Sequence, residues 1–124
     1  MTAFINALAE VPAPPLVPDD QPIDLDHLSR MTLGERSLER EVLELFDRQA
    51  DMLITRMRAG TPPVAAASAH TLKGSARGIG AWRVAAAAAA VEQAKAAELK
   101  AALSALDAAI DEARATIAHL LKAA

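Results

Sequence analysis

The residues best suited to chemistry in this sequence lie at intervals of three and four within one alanine-rich segment. They are His70, Lys73 and Arg77, interleaved with Gly74 and Gly78. A neutral imidazole is a nucleophile, and positioned ammonium and guanidinium groups stabilise a transferring phosphoryl group. Cations beside an imidazole also favour its neutral form. The spacing therefore indicates phosphoryl chemistry at His70, with an incidental surface histidine on a solvated helix face as the alternative.

The segment that carries these residues is predicted to be one helix. Thr61 is a favourable N-cap, Pro62 suits the first helical position, and Gly80 suits the end. Apolar residues recur between them at spacings of four and three, which is typical of a buried stripe: Ala65, Ala69, Leu72, Ala76 and Ile79. The pattern predicts a helix from Thr61 to about Gly80.

The phase of this helix directs His70 to solvent. At about 100° per residue, His70 lies roughly 140° from the apolar stripe and Gly74 roughly 180°. A side chain at position 74 would lean over the imidazole, whereas glycine leaves it clear, and the turn beneath holds only Ala66 and Ala67. Gly74 and Gly78 each cost a helix about 1 kcal/mol relative to alanine. Close approach of another molecule would explain that cost.

Four further helices are predicted around this one. Asp24 caps a short helix through about Arg30, and Gly34 separates it from a long helix at 35–58 that Gly60 ends. The predicted stripe of the long helix is Leu38, Val42, Leu45, Phe46, Leu53 and Met57. The last two helices are predicted at 81–95 and 99–122, with a turn near 95–98. Short connections favour an all-α, antiparallel up-down-up-down four-helix bundle with a short extra N-terminal helix.

The first 22 residues form a separate unit in this interpretation. Five of the seven prolines lie there, where they remove amide donors and favour extended backbone. We therefore predict a proline-rich arm at 1–22 and a bundle domain at 23–124. The apolar residues Phe4, Ile5 and Leu8 could fray or could dock on the body as an extra helical turn, and the sequence leaves both open. Without a leader-like start or a long apolar run, a cytoplasmic location is expected.

Composition excludes several classes of function. A net charge of −3 and 2% aromatic residues argue against nucleic acid as a partner. The absence of cysteine removes thiol chemistry, disulfides and thiolate metal sites. No phosphate-binding glycine loop is present, so the chain is not an autonomous ATP-dependent kinase. His27 and His119 have no partners at metal-ligand spacing and are predicted to be solvated helix residues, so no metal or bound cofactor is expected.

The segment His70-Thr71-Leu72-Lys73-Gly74-Ser75-Ala76, followed by Gly80-Ala81, resembles the signature of the histidine-containing phosphotransfer (HPt) domain family. That signature is a histidine, two residues, Lys-Gly and a later Gly-Ala. Residues 42–46 also resemble the family pattern, and the resemblance covers about residues 23–124. It implies that His70 is phosphorylated, that Lys73 is its electrostatic partner and that Gly74 provides clearance. The sequence departs from the family pattern at Arg77-Gly78 and in its short last interhelical break.

The resemblance also implies partners. They would be receiver domains of response regulators and of hybrid histidine kinases, which exchange a phosphoryl group with His70 through their own aspartates. The Mg²⁺ that such transfers need is expected on the receiver, because no acidic cluster accompanies His70 in the sequence. Ala66, Ala67, Arg77 and Gly78 would contact the partner, and a monomer is expected. The alternative function is a non-catalytic helical adaptor or antagonist that binds a signalling partner through the same helix face.

Overall fold

A computed structural model describes residues 21–123, and this part of the chain contains five helices and no strand. The helices are α1 (Leu25–Met31), α2 (Arg36–Ala59), α3 (Pro62–Ile79), α4 (Trp82–Gln93) and α5 (Ala96–Ala123). The predicted all-α class is confirmed. Nearly all of the predicted arm, including the apolar residues at positions 4, 5 and 8, lies outside the described residues. None of the described helices is long and apolar enough to span a membrane.

Helix α3 lies between two neighbours, and this arrangement determines which of its faces stays open. It packs against α2 on one side and α4 on the other, while α5 packs against α2 and α4. The predicted stripe of α3 is confirmed, since all five of its members are buried. Thr61 occupies the predicted N-cap position without a side-chain capping bond, and Gly80 ends the helix at φ 80°. The face of α3 opposite the stripe is left to solvent.

Helix α1 is fixed to the junction of α3 and α4 through Asp24. The Asp24 carboxylate caps α1 by accepting from the His27 backbone N–H at 3.0 Å, as predicted, and also accepts from Trp82 Nε1 at 2.9 Å. Its backbone N–H donates to the Gly80 carbonyl at 2.9 Å. Burial raises the pKa of Asp24, but the hydrogen bonds from Trp82 and His27 outweigh it, and the pKa lies below its ordinary value.

His27 is not the solvated residue that the sequence predicts. Its ring makes an edge contact with Trp82 at a centroid separation of 4.9 Å, and its Nε2 is buried. The prediction was wrong because Trp82 is 55 positions away, and only the docking of α1 brings it to His27. His119, in contrast, is exposed as predicted.

The buried face of α2 differs from the predicted stripe. The residues that α2 buries are Leu43, Phe46, Ala50, Leu53, Ile54 and Met57. Leu45, which the prediction placed in the core, has 58% of its surface exposed, while Leu38 and Val42 are half-buried. Two apolar stripes run along this helix at helical spacing, and the one containing the small residue Ala50 faces the other helices.

The turn between α4 and α5 is confirmed near its predicted place, but α5 begins three residues earlier than predicted. Ala94 and Lys95 are non-helical, and α5 starts at Ala96. The Glu98 carboxylate accepts from the Lys95 backbone N–H at 3.0 Å. A glutamate at the third helical position commonly satisfies an unpaired amide at a helix start in this way. This bond explains how two helices are separated without glycine or proline.

Candidate functional site

His70 projects from the open face of α3, as its predicted phase requires. Its side chain is 68% exposed, while Ala69 beside it is fully buried. The surrounding surface is made of small residues: Ala67 is exposed and Ala66 is half-buried. The imidazole is therefore accessible to a macromolecular partner.

A carboxylate from the neighbouring helix holds one side of the imidazole. Glu92, near the end of α4, places Oε2 at 2.7 Å from His70 Nδ1 and Oε1 at 2.6 Å from Lys73 Nζ. The hydrogen bond from Lys73, followed by that from His70, lowers the pKa of Glu92 below its ordinary value. Glu92 thus joins the histidine and the lysine into one constellation, and it remains ionised over the neutral range.

This contact determines which imidazole nitrogen is free. An ionised carboxylate only accepts hydrogen bonds, so the Nδ1 of His70 must donate its proton to Glu92. In a neutral imidazole the lone pair then resides on Nε2, which forms no hydrogen bond with any described residue. Glu92 thus fixes the imidazole tautomer that carries its proton on Nδ1, and Nε2 is the nucleophilic nitrogen.

Lys73 is neither the open cation of the predicted chemistry nor the solvated lysine of the alternative. Its side chain is only 17% exposed, and its ammonium forms an ion pair with Glu92. An ammonium has three N–H donors, so two remain for an incoming anion. Lys73 is thereby held beside His70.

The two glycines of α3 have no packing reason inside the described structure. A Cβ built at Gly74 or at Gly78 meets no heavy atom within 4 Å. Gly60 and Gly80 differ, because a Cβ would lie 2.7 Å from Val64 Cγ1 in the first case and 2.9 Å from the Asp24 carbonyl oxygen in the second. Packing within the fold therefore explains why glycine occupies positions 60 and 80, but it does not explain glycine at positions 74 and 78.

The remaining predicted contact residue, Arg77, also lies on this surface. It is exposed at the C-terminal part of α3, and no ion pair joins it to the described residues. Its charge is therefore available for an anionic partner, whereas the ammonium of Lys73 already shares one donor with Glu92.

Sequence reasoning missed Glu92. It lies 22 residues after His70, and helix periodicity gives no information about a contact between two helices. One signal was present: Glu92 is the only acidic residue between Arg58 and Ala97. An isolated carboxylate in an alanine helix that packs against the histidine helix was a candidate partner for the two cations.

Over the described residues, the fold and the site together define a helical domain with an accessible histidine on α3, oriented by a carboxylate from α4. The family profile described as Hpt domain matches residues 40–122, which is more than half of the chain. The chain therefore belongs to the Hpt domain family, and the resemblance noted in the sequence is confirmed. Comparisons with curated proteins and with solved structures found no match.

Proposed function

We propose that this protein is a histidine phosphotransfer protein of a two-component phosphorelay, carrying a phosphoryl group on His70 between aspartates of receiver domains. Membership of the Hpt domain family supports phosphotransfer signalling as the class of function. The observation that carries the specific assignment is the Nδ1 contact between His70 and Glu92, which leaves an exposed Nε2 free.

The proposed step is an in-line displacement at phosphorus. The Nε2 lone pair of His70 forms the N–P bond, and the bond between phosphorus and the receiver's aspartate oxygen breaks, so the aspartate leaves as a carboxylate with the electron pair. No proton moves, because Nδ1 keeps its hydrogen. The imidazole therefore becomes a positively charged phosphoimidazolium, and the reverse displacement returns the phosphoryl group to another receiver.

Glu92 and Lys73 would stabilise different charges in this step. The Glu92 carboxylate at 2.7 Å from Nδ1 faces the positive charge that develops on the imidazolium. The free N–H donors of Lys73 face the negative charge on the phosphoryl oxygens. Glu92 is a positioning residue in this proposal, because it acts through His70 and Lys73. The required Mg²⁺ would be held by the receiver's carboxylates.

The proposed docking surface comprises Ala66, Ala67, Gly74, Arg77 and Gly78. The four alanine and glycine residues are small enough to allow close approach of a receiver to His70, and Arg77 offers a charge to the receiver's acidic site.

Two exposed apolar residues of α2 extend this surface. Leu45 and Met52 are 58% and 48% exposed, and they lie seven residues apart on one face. We propose the antiparallel up-down-up-down bundle for α2–α5, in which residues at equal distance from the turn at Gly60 lie side by side. Met52, eight residues before Gly60, then lies within about one helical turn of the level of His70, ten residues after it, so Leu45 and Met52 would contribute apolar area to the receiver contact.

Transfer from phosphorylated receivers tests this function. A panel of receivers carrying labelled phosphate is incubated with the wild type, His70→Gln and His119→Gln, the last being a matched exposed histidine. The proposal expects acid-labile, base-stable label on the wild type and on His119→Gln, and none on His70→Gln. Receiver binding without any label transfer would instead favour the adaptor or antagonist. A cytoplasmic location stays a prediction.

A further inference from the structure

A second surface feature lies between α2 and α5, away from His70. It is a groove of about 420 Å³ where α2 ends and α5 begins. Met57, Leu99 and Leu103 supply apolar side chains, and Lys100 and Ser104 also line it. Lys100 forms no ion pair with the described residues, whereas Arg58 on the same groove is paired with Asp107. The groove is thus apolar with one uncommitted positive charge.

We propose that the first ten residues of this same chain occupy the groove. Phe4, Ile5 and Leu8 have the spacing of one apolar helix face, and Glu10 lies two residues after Leu8. Residues 1–20 contain no lysine or arginine, so this segment complements the charge of Lys100. The groove volume is sufficient for more than one large apolar side chain, and burying these side chains supplies the driving force.

The length of the intervening chain fits this assignment. Ten residues, 11–20, separate Glu10 from Gln21, and at about 3.1 Å per residue a proline-rich segment of this length spans about 31 Å. The described residues begin at Gln21, four positions before Leu25. Leu25 lines a smaller groove together with Arg40 and Leu43, which belong to the first half of α2. The larger groove lies at the opposite end of α2, where Met57 is fourteen residues, or about 21 Å of helix, beyond Leu43. The spacer is therefore long enough to reach the larger groove.

The proposal is independent of phosphotransfer. His70 lies on α3 and contacts α4, whereas the groove belongs to α2 and α5. A segment seated in the groove would leave the histidine face open, so failure of either proposal does not affect the other.

Disulfide trapping in the full chain tests the assignment, because the natural sequence contains no cysteine. Leu8→Cys is combined with Ser104→Cys on the groove, or with Ala86→Cys, an exposed control on α4. Under limiting oxidant, we expect an intramolecular disulfide at least about tenfold faster for the first pair, because docking raises the effective concentration of the two thiols. Equal rates for the two pairs would overturn the proposal, as would a disulfide that forms only between two molecules.

A charge exchange adds a second readout. In the Leu8→Cys, Ser104→Cys background, Lys100→Glu should slow trapping several-fold, and adding Glu10→Lys should restore it. Circular dichroism verifies that each variant is folded. If Lys100→Glu has no effect, or if Glu10→Lys fails to restore the rate, the charge pairing is refuted.

Discussion

Replacing Gly74 or Gly78, the two glycines on the same helix as His70, by alanine is expected to stabilise the protein. A methyl group at Gly74 or Gly78 contacts nothing within 4 Å, so replacement by alanine adds helix propensity without strain. Each change should raise the free energy of unfolding by up to about 1 kcal/mol. For a domain of about 100 residues, 1 kcal/mol corresponds to a rise in Tm of about 4–8 °C.

Gly60 and Gly80 supply the matched controls. Gly80 adopts φ 80°, and a Cβ added there would lie 2.9 Å from the Asp24 carbonyl oxygen, while one added at Gly60 would lie 2.7 Å from Val64 Cγ1. Alanine at either position should lower the Tm, because strain or displacement of neighbours outweighs the propensity gain. Thermal unfolding followed by circular dichroism measures all four variants. A fall in Tm for Gly74→Ala comparable to that for Gly80→Ala would refute the geometry.

The functional half of the same prediction concerns side-chain size at position 74. A leucine there leans over His70, because helical side chains point toward the N-terminus of their helix. Gly74→Leu should therefore slow phosphoryl transfer from receivers much more than it slows reaction with a small donor such as phosphoramidate, while Gly74→Ala has a smaller effect. Single-turnover transfer assays measure both rates. Receiver transfer by Gly74→Leu at the wild-type rate would refute the clearance role.

Three further predictions follow from the charges and the backbone. Lys73→Ala should slow phosphoryl transfer, Lys73→Arg should keep part of the rate, and Lys73→Glu should be slowest, because it sets a second carboxylate against Glu92. Single-turnover transfer rates measure this, with receiver affinities determined in parallel. Equal transfer rates for the wild type and the variants would show that Lys73 is only a solvated lysine. Because the pKa of Asp24 is lowered in the folded state, its carboxylate stabilises the fold at pH values above the ordinary aspartate pKa, and this contribution is lost as the pH falls through the pKa of the folded state. Below about pH 4, Asp24→Asn should therefore lose less unfolding free energy than the wild type. Acid unfolding measures this, and equal losses in the two proteins would contradict it. Leu33 is 87% exposed and adopts φ 55°, a left-handed conformation that strains any residue with a Cβ. Leu33→Gly should therefore raise the free energy of unfolding by about 1 kcal/mol in denaturant titrations, and no rise would show that this strain is absent.

Local patterns predicted those parts of the fold that local interactions determine. The stripe of α3, the cap at Asp24 and the end at Gly80 each depend on residues within a few positions of one another, and the structure has all three. The exposure of His70 followed from the same periodicity.

The periodicity within single helices does not predict contacts between helices. Glu92 reaches His70 across 22 residues, and Trp82 covers His27 across 55, so no helical period connects them. The phase of α2 failed for a related reason: Leu45 belongs to a second apolar stripe, and only packing against the other helices selects which stripe is buried.

The position of the phosphoryl group on His70 tests the central proposal most directly. The wild type is labelled with ¹⁵N-histidine, phosphorylated by a receiver and observed by ¹⁵N and ³¹P NMR, with His70→Gln as the control. We expect a phosphoryl group bonded to Nε2 of His70, with Nδ1 still protonated toward Glu92. A phosphoryl group on Nδ1, on another residue, or retained on His70→Gln would contradict it.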